Sequence, residues 1–191
     1  MITFLRPIVR RARERIEALR VSGRPIDGVF QQIYERNHWR GSESASGTGS
    51  DLRQTAVITA ELPELLRRHG VRSMLDIPCG DFHWMSRVDL AGVDYIGADI
   101  VGAIADTNNA RYGREGVRFM QLNLVSDPLP RVDLVFCRDC LVHLSFENVQ
   151  AALRNVCESG ARLLVATTFP EHCSNMSSAA ESWPRRKKPW L

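Results

Sequence analysis

The chain has 191 residues, 44% hydrophobic and 25% charged, a globular composition that excludes wholesale disorder and favours a single domain. No apolar run approaches the ~20 residues of a membrane-spanning helix. The net charge is +3, but Arg185, Arg186, Lys187 and Lys188 leave −1 for the residues before them, so no fold-wide nucleic-acid surface is expected.

Five cysteines, an odd number, without a secretory h-region fit reduced thiols and a cytoplasmic setting. Residues 1–24 are arginine-rich and place Leu5, Ile8, Val9, Ala12, Ile16 and Leu19 on one helical stripe, with Arg6, Arg10, Arg13 and Arg20 outside it. Such a helix can pack on its own domain, or lie on a membrane surface or a partner. Glu14 and Glu17 argue against a transit peptide. Phe30, Ile33, Tyr34 and Trp39 then precede a Ser/Gly run at 41–50. That run is either a linker or, with Trp39, a lid over a site in the domain beyond. Residues 1–50 are expected as a helical or cap extension. Ser50 or Asp51 can cap a helix through Leu52, Ala56, Ile58, Leu62, Leu65 and Leu66 to a stop near Gly70, with a kink or break at Pro63.

From Arg72 the period changes. Short apolar runs at 73–77, 95–98, 117–122, 132–136 and 162–166 end in polar or glycine-rich residues, with helical stretches between them. The clearest helix covers 146–157, capped by Ser145, with Asn148 where a capping box would have Glu. Strands and helices alternating at this spacing imply right-handed βαβ units. The expected fold is α/β: a Rossmann-like three-layer sandwich over 51–169, with a mostly parallel sheet of about five strands and helices on both faces. Pro170, Pro184, Pro189 and the four cations predict an irregular basic tail over 170–191. The fifth strand's edge would then be unpaired, which invites self-association or a partner.

Ligands of such sheets bind beyond the carboxyl ends of the strands, at the switch in strand order. After the first strand comes Asp76-Ile-Pro-Cys-Gly-Asp-Phe82, where Gly80 permits a tight turn. This is not G-x-G-x-x-G, which disfavours a nicotinamide oxidoreductase. Asp99 closes the second strand 23 residues after Asp76. A carboxylate there can accept both hydrogen bonds of a ribose diol, although either acid alone can also be a helix cap. Cys137 and Cys140 form C-x-x-C with His143 following. Lacking a second such pair, they fit buried thiols better than zinc, and no metal is expected. Phe82, His83 and Trp84 either close over a ligand or pack the next element.

Taken in order, Leu75-Asp-Ile-Pro-Cys-Gly-Asp81, Tyr95-Ile-Gly-Ala-Asp99, Leu122-Asn-Leu124 and Val132-Asp-Leu-Val-Phe-Cys-Arg-Asp139 resemble the motifs of class I S-adenosylmethionine-dependent methyltransferases. The resemblance covers roughly residues 50–168. The first motif departs from D-x-G-x-G-x-G, with Pro78 and Phe82 at two glycine positions and Gly80 retained. The resemblance implies S-adenosylmethionine as cofactor. Asp76, Cys79 and Gly80 would lie at its methionine end, Asp99 at the ribose, Asn123 and Leu124 at the adenine, and Arg138 near the methyl group. Methyl transfer is then an in-line displacement at a sulfonium methyl, and a hydroxyl acceptor must also lose a proton. Asp139 and His143, four residues apart, would share one face of a helical turn, His143 as general base and Asp139 orienting it. His143 could equally be a packing or capping residue near Ser145. The expected activity is methyl transfer to a small molecule or glycan, at oxygen, since the core lacks a basic surface and an N-P-P-Y-type signature. The alternative is a catalytically incomplete cofactor-binding module acting with a partner.

Overall fold

The structure is a computed structural model that describes residues 26–36, 38 and 42–167. The helix expected within 1–24, Trp39 and the tail from 168 onward lie outside the described residues. Five strands form one sheet: β1 (Ser73–Asp76), β2 (Asp94–Asp99), β3 (Val117–Gln121), β4 (Leu134–Cys137) and β5 (Leu163–Ala166). Their order is β3-β2-β1-β4-β5, and every pairing is parallel. Among the described residues four helices accompany them: α1 (Ile26–Glu35), α2 (Leu52–Arg68), α3 (Gly102–Tyr112) and α4 (Phe146–Glu158). The chain runs outward from β1 to β3 and then returns to β4 on the other side of β1. The carboxyl ends of β1 and β4 therefore flank the crevice at the switch in strand order.

Strand alternation sends Met74, Tyr95, Phe119, Leu134 and Phe136 to one face, where α2 packs through Leu62 and Leu66 and α3 through Ile104 and Ala105. Leu75, Ile77, Ile96, Val135 and Cys137 face the other way, under Ala152 and Val156 of α4. Because both faces are covered, β4 is a continuous apolar run, whereas β3 at the sheet edge alternates buried Val117 and Phe119 with exposed Arg118 and Met120. Phe30 and Tyr34 of α1 pack against the first cluster, so this helix is docked on the sheet's covered face.

Of the kink or break expected at Pro63, the break does not occur: helix α2 runs through it. A proline inside a helix costs about 3 kcal/mol, whereas burying a leucine contributes about 1.5–3 kcal/mol. Leu62 and Leu66, both buried on the helix's inner face, therefore offset the proline. The start of α2 differs too. Asp51 is the N-cap residue, but its side chain makes no cap bond and its Oδ1 is buried without a partner. Glu43 Oε1 accepts from the Leu52 N–H at 3.1 Å instead. Helix α4 begins as its sequence predicts, with Ser145 Oγ accepting from the Asn148 N–H at 3.3 Å.

Candidate cofactor and methyl-transfer site

The turn after β1 is held on three sides. The Cys79 N–H donates to the Ala98 carbonyl at 2.8 Å, Asn108 Nδ2 of α3 donates to the Gly80 carbonyl at 2.8 Å, and the Gly80 N–H donates to Asp99 Oδ2 at 3.1 Å. Gly80 has φ +55°, and Phe82 adopts φ +57° at a position where the methyltransferase pattern has glycine. A left-handed non-glycine residue costs about 1–2 kcal/mol. The Phe82 ring offsets this by burial among Tyr95, Tyr112 and Phe119, at centroid distances of 5.1, 5.1 and 5.0 Å. Phe82 thus packs beneath the turn and closes over nothing. Trp84 is likewise buried, against Phe136.

Two buried acids stand at the strand ends. Asp99 Oδ1 accepts from the Val101 N–H at 3.0 Å, and with Gly80 on Oδ2 the carboxylate is fixed in orientation. A carboxylate offers about four lone-pair sites, so acceptor capacity remains for a diol. Burial raises Asp99 to about 6, against the pull of the Val101, Gly80 and Ile100 backbone N–H groups. Asp76 is raised further, to about 7, again chiefly by burial; the Tyr95 hydroxyl and the Arg138 charge lower it and Asp99 raises it. The Cys79 thiol is buried and pushed up by that burial, so this residue shapes the turn through its backbone.

On the β3 side of Asp99 lies a cleft of about 580 Å³, lined by Ile100, Gln121, Asn123, Ser126 and Asp127 and, from α1, by Ile26 and Asp27. Asn123 Oδ1 accepts from the Val125 N–H and its own N–H donates to Asp127 Oδ2, both at 2.9 Å. Leu124 does not line this cleft. Its side chain is buried in the core under α4, because the alternation that turns Asn123 outward turns Leu124 inward.

At the end of β4, Arg138 lies over the Trp84 ring at 5.6 Å, and its Nη2 donates to the Gly49 carbonyl at 2.6 Å. Asp139 has φ +52°, its N–H donates to Thr167 Oγ1 at 3.0 Å, and its carboxylate pairs with Arg138 at 3.2 Å. The expected helical face shared by Asp139 and His143 is therefore not formed. Asp139 sits outside the helical basin, and the short 3₁₀ turn Leu141–His143 begins two residues later. The Cys140 thiol is pushed up by the neighbouring Cys137 thiol and by burial. Among the described residues no three His, Cys, Asp or Glu side chains gather as a metal would require.

The Ser/Gly run is a docked strap. Ser44 Oγ and the Ala45 N–H donate to the two oxygens of Asp81 at 2.9 and 2.8 Å, and the Asp81 N–H donates to Ser46 Oγ at 3.3 Å. His83 Nε2 meets Glu43 Oε1 at 2.9 Å. The strap lies so close that a Cβ on Gly80 would stand 2.1 Å from Ser46 Oγ. Sequence reasoning missed Asp81, Asn108 and the cleft-lining Ile26 and Asp27. Only Asp81, directly after the key glycine, carried a local signal.

A parallel sheet with a glycine turn after β1 and a buried acid closing β2 defines a Rossmann-like nucleoside-binding domain. Residues 75–165 match the family described as Methyltransferase domain, which bears out the resemblance to class I S-adenosylmethionine-dependent methyltransferases. The fold is similar to the methyltransferase domain of bacterial CtHen1, with a TM-score of 0.51 and 18% identity over 61% of this chain and 65% of that one. It is also similar to S-adenosylmethionine-bound CalS10, an amino pentose methyltransferase from Micromonospora echinaspora, with a TM-score of 0.50 and 19% identity over 62% of this chain and 53% of that one. The chain spans under two thirds of each structure, and at these identities the likeness is one of fold. A search of curated protein sequences finds no match. Among the described residues no helix is long and apolar enough to cross a membrane.

Proposed function

We propose that the chain transfers a methyl group from S-adenosylmethionine to an oxygen of a small molecule or glycan. The observation that carries the cofactor half is the pair of buried acids, Asp76 and Asp99, on either side of the Gly80 turn and beside the Ile100–Asn123 cleft. This donor set suits the cofactor: an acid for its ammonium, an acid for its ribose diol, and an amide with an apolar neighbour for its adenine. Asp76 would hold the ammonium, Asp99 the diol and Asn123 the adenine edge. Gly80 would let the backbone approach, and Arg138 would hold the strap over the methionine end. When bound, S-adenosylmethionine supplies an electrophilic methyl, so the protein's part is alignment and exclusion of water.

His143 would take the acceptor's proton. It sits beyond β4 between Val142 and Phe146, exposed apolar residues that suit an uncharged acceptor better than a phosphate backbone. Asp139, engaged by Arg138, would act on the strap rather than on His143. Titration calorimetry with S-adenosylmethionine, S-adenosylhomocysteine and NAD tests the cofactor. Transfer of labelled methyl to hydroxylated compounds and glycans, against amines, tests the acceptor. Selective NAD binding would overturn the first half, and transfer to amines alone the second.

A second reading is a cofactor-binding module that works with a partner in a cytoplasmic complex. It is favoured by β5, which among the described residues pairs only with β4 and leaves Leu164 exposed. Turnover by the isolated monomer would remove it.

A further inference from the structure

Tyr95 and Asp76 lie on the same face of the sheet, on neighbouring strands but out of register. Asp76 pairs with Gly97, and Tyr95 pairs with Met74. The Tyr95 side chain reaches Asp76 by lying along β2 over Gly97. There a Cβ would stand 3.1 Å from Tyr95 Cε1 and 2.5 Å from Phe119 Cδ1. The missing side chain at Gly97 is therefore the slot that holds the ring. In that slot the Tyr95 hydroxyl donates to Asp76 Oδ2 at 2.5 Å, with both residues fully buried or nearly so. Oδ1 of Asp76 takes no hydrogen bond from the described residues.

We propose that Tyr95 is a positioning residue: its hydroxyl fixes the Asp76 carboxylate, across the gap left by Gly97, in the orientation that receives the cofactor's ammonium. This rests on the cofactor reading above and deepens it. The alternating Tyr95, Gly97 and Asp99 of Tyr-Ile-Gly-Ala-Asp then form one functional row: a lever, its slot and the ribose acid.

The groups facing Asp76 are Tyr95 and Asp99 of β2, Cys79 of the turn and Arg138 after β4. Tyr95 and Cys79 are both pushed far up by burial and keep their protons. The tyrosine is thus always a donor toward Asp76. With Asp76 raised to about 7, its carboxylate competes with its own protonated form near neutrality. The Tyr95 hydrogen bond and the Arg138 charge favour the ionised form, which alone attracts an ammonium.

The test is calorimetric titration of S-adenosylhomocysteine between about pH 5.5 and 8.5, in buffers of different ionisation enthalpy, with the intact chain and the variants Tyr95→Phe and Asp76→Asn. In the unaltered chain, affinity should rise through about pH 7, with a fractional proton released on binding near neutrality. Tyr95→Phe keeps the ring in its slot and removes only the hydroxyl. It should move the midpoint upward by about one pH unit, weaken binding roughly fivefold at pH 7 and converge on the unaltered chain at high pH. A uniform weakening at every pH, or an unmoved midpoint, overturns the proposal. Should Tyr95→Phe fail to fold, Asp76→Asn carries the test: its affinity should lose the rise near pH 7 and keep only the one near pH 6 that belongs to Asp99, and a persisting rise near pH 7 overturns the proposal. Absence of S-adenosylhomocysteine binding by the unaltered chain at every pH would overturn the cofactor reading itself, and the inference with it.

Discussion

On the β1–β3 side of the sheet, Asp76 and Asp99 are 3% and 5% exposed, each held by a neighbour, and the glycine turn between them is braced by α3 and covered by the strap. On the β4–β5 side, Val142, Phe146 and Leu164 are 52%, 49% and 40% exposed, and β5 is an edge among the described residues. The first side has its groups ordered before any ligand arrives, which lowers the ordering cost of binding. The second keeps apolar surface that a bound acceptor or a partner would cover. On the proposed function, the contrast separates cofactor capture, already organised, from acceptor chemistry, which depends on what docks. Either side can be perturbed while the other is watched for change.

The largest effect should follow His143→Ala. Turnover is expected to fall by about 10²–10⁴-fold while S-adenosylhomocysteine affinity stays within about twofold, measured by labelled methyl transfer and calorimetry. A lowered Tm with normal specific activity would make His143 a packing residue and dissolve the functional contrast.

Next comes the stability of the ligand-free protein. A carboxyl raised from 3.8 to about 7 costs on the order of 4 kcal/mol to ionise in place. Between about pH 4 and 7 the folded state holds a proton on Asp76 that the unfolded chain has released, so stability falls as pH rises through that window. Asp99, raised to about 6, acts with the same sign. Asp133 acts oppositely: its carboxyl is held below the usual range chiefly by the Arg72 N–H, so its contribution is lost only as pH falls below its ordinary value. Asp76→Asn should therefore raise the Tm of the free protein near pH 8 and do little near pH 4. Equal shifts at both pH values would show that burial does not disfavour ionised Asp76.

Local pattern made the frame legible. Continuous apolar runs located all five strands, Ser145 announced α4, and the spacing from Asp76 to Asp99 located the two acids. Contacts between distant segments stayed hidden. Nothing local tells that Ser44 and Ala45 will seize Asp81, or that Asn108 on α3 will hold the Gly80 carbonyl. The Asp139–His143 spacing suggested one helical face, but Asp139 has a left-handed backbone whose N–H is held by a tertiary contact to Thr167. Pro63 was overridden in the same way, by burial of the leucines beside it.

Asp99 sharpens the cofactor side further. Asp99→Ala would orphan the Gly80 and Val101 N–H groups, costing about 1–3 kcal/mol each, so it conflates folding with binding. Asp99→Asn keeps the shape and one acceptor but sets its Nδ2 donor against one of those two N–H groups, so a smaller fall in Tm is expected than for Ala. It should weaken S-adenosylhomocysteine binding by roughly 10-fold, with Ala nearer 100-fold and a clearly lower Tm. Unchanged affinity in the Asn variant would remove Asp99 from the ribose.

The smallest expected effect tests whether the ordered side extends into α1. Asp27 lines the Ile100–Asn123 cleft, and its carboxylate makes no hydrogen bond or ion pair with the described residues. Asp127, across the same cleft, is already committed to the Asn123 N–H and the Ser126 hydroxyl. If adenine occupies this cleft, its exocyclic amino group needs an acceptor, and Asn123 Oδ1 already accepts from the Val125 N–H. Asp27 is the acid with the most acceptor capacity left. The Asp27→Asn substitution should weaken S-adenosylhomocysteine binding by only about 3–10-fold, since an exposed hydrogen bond contributes little. The decisive readout is the preference for S-adenosylhomocysteine over its deaminated, inosine-containing analogue. A carboxylate favours the amino group and repels a carbonyl, whereas an amide can donate to that carbonyl, so the preference should shrink in the Asn variant. A preference unchanged by the substitution would confine the organised half of the site to the sheet domain and leave α1 as packing held by Phe30 and Tyr34.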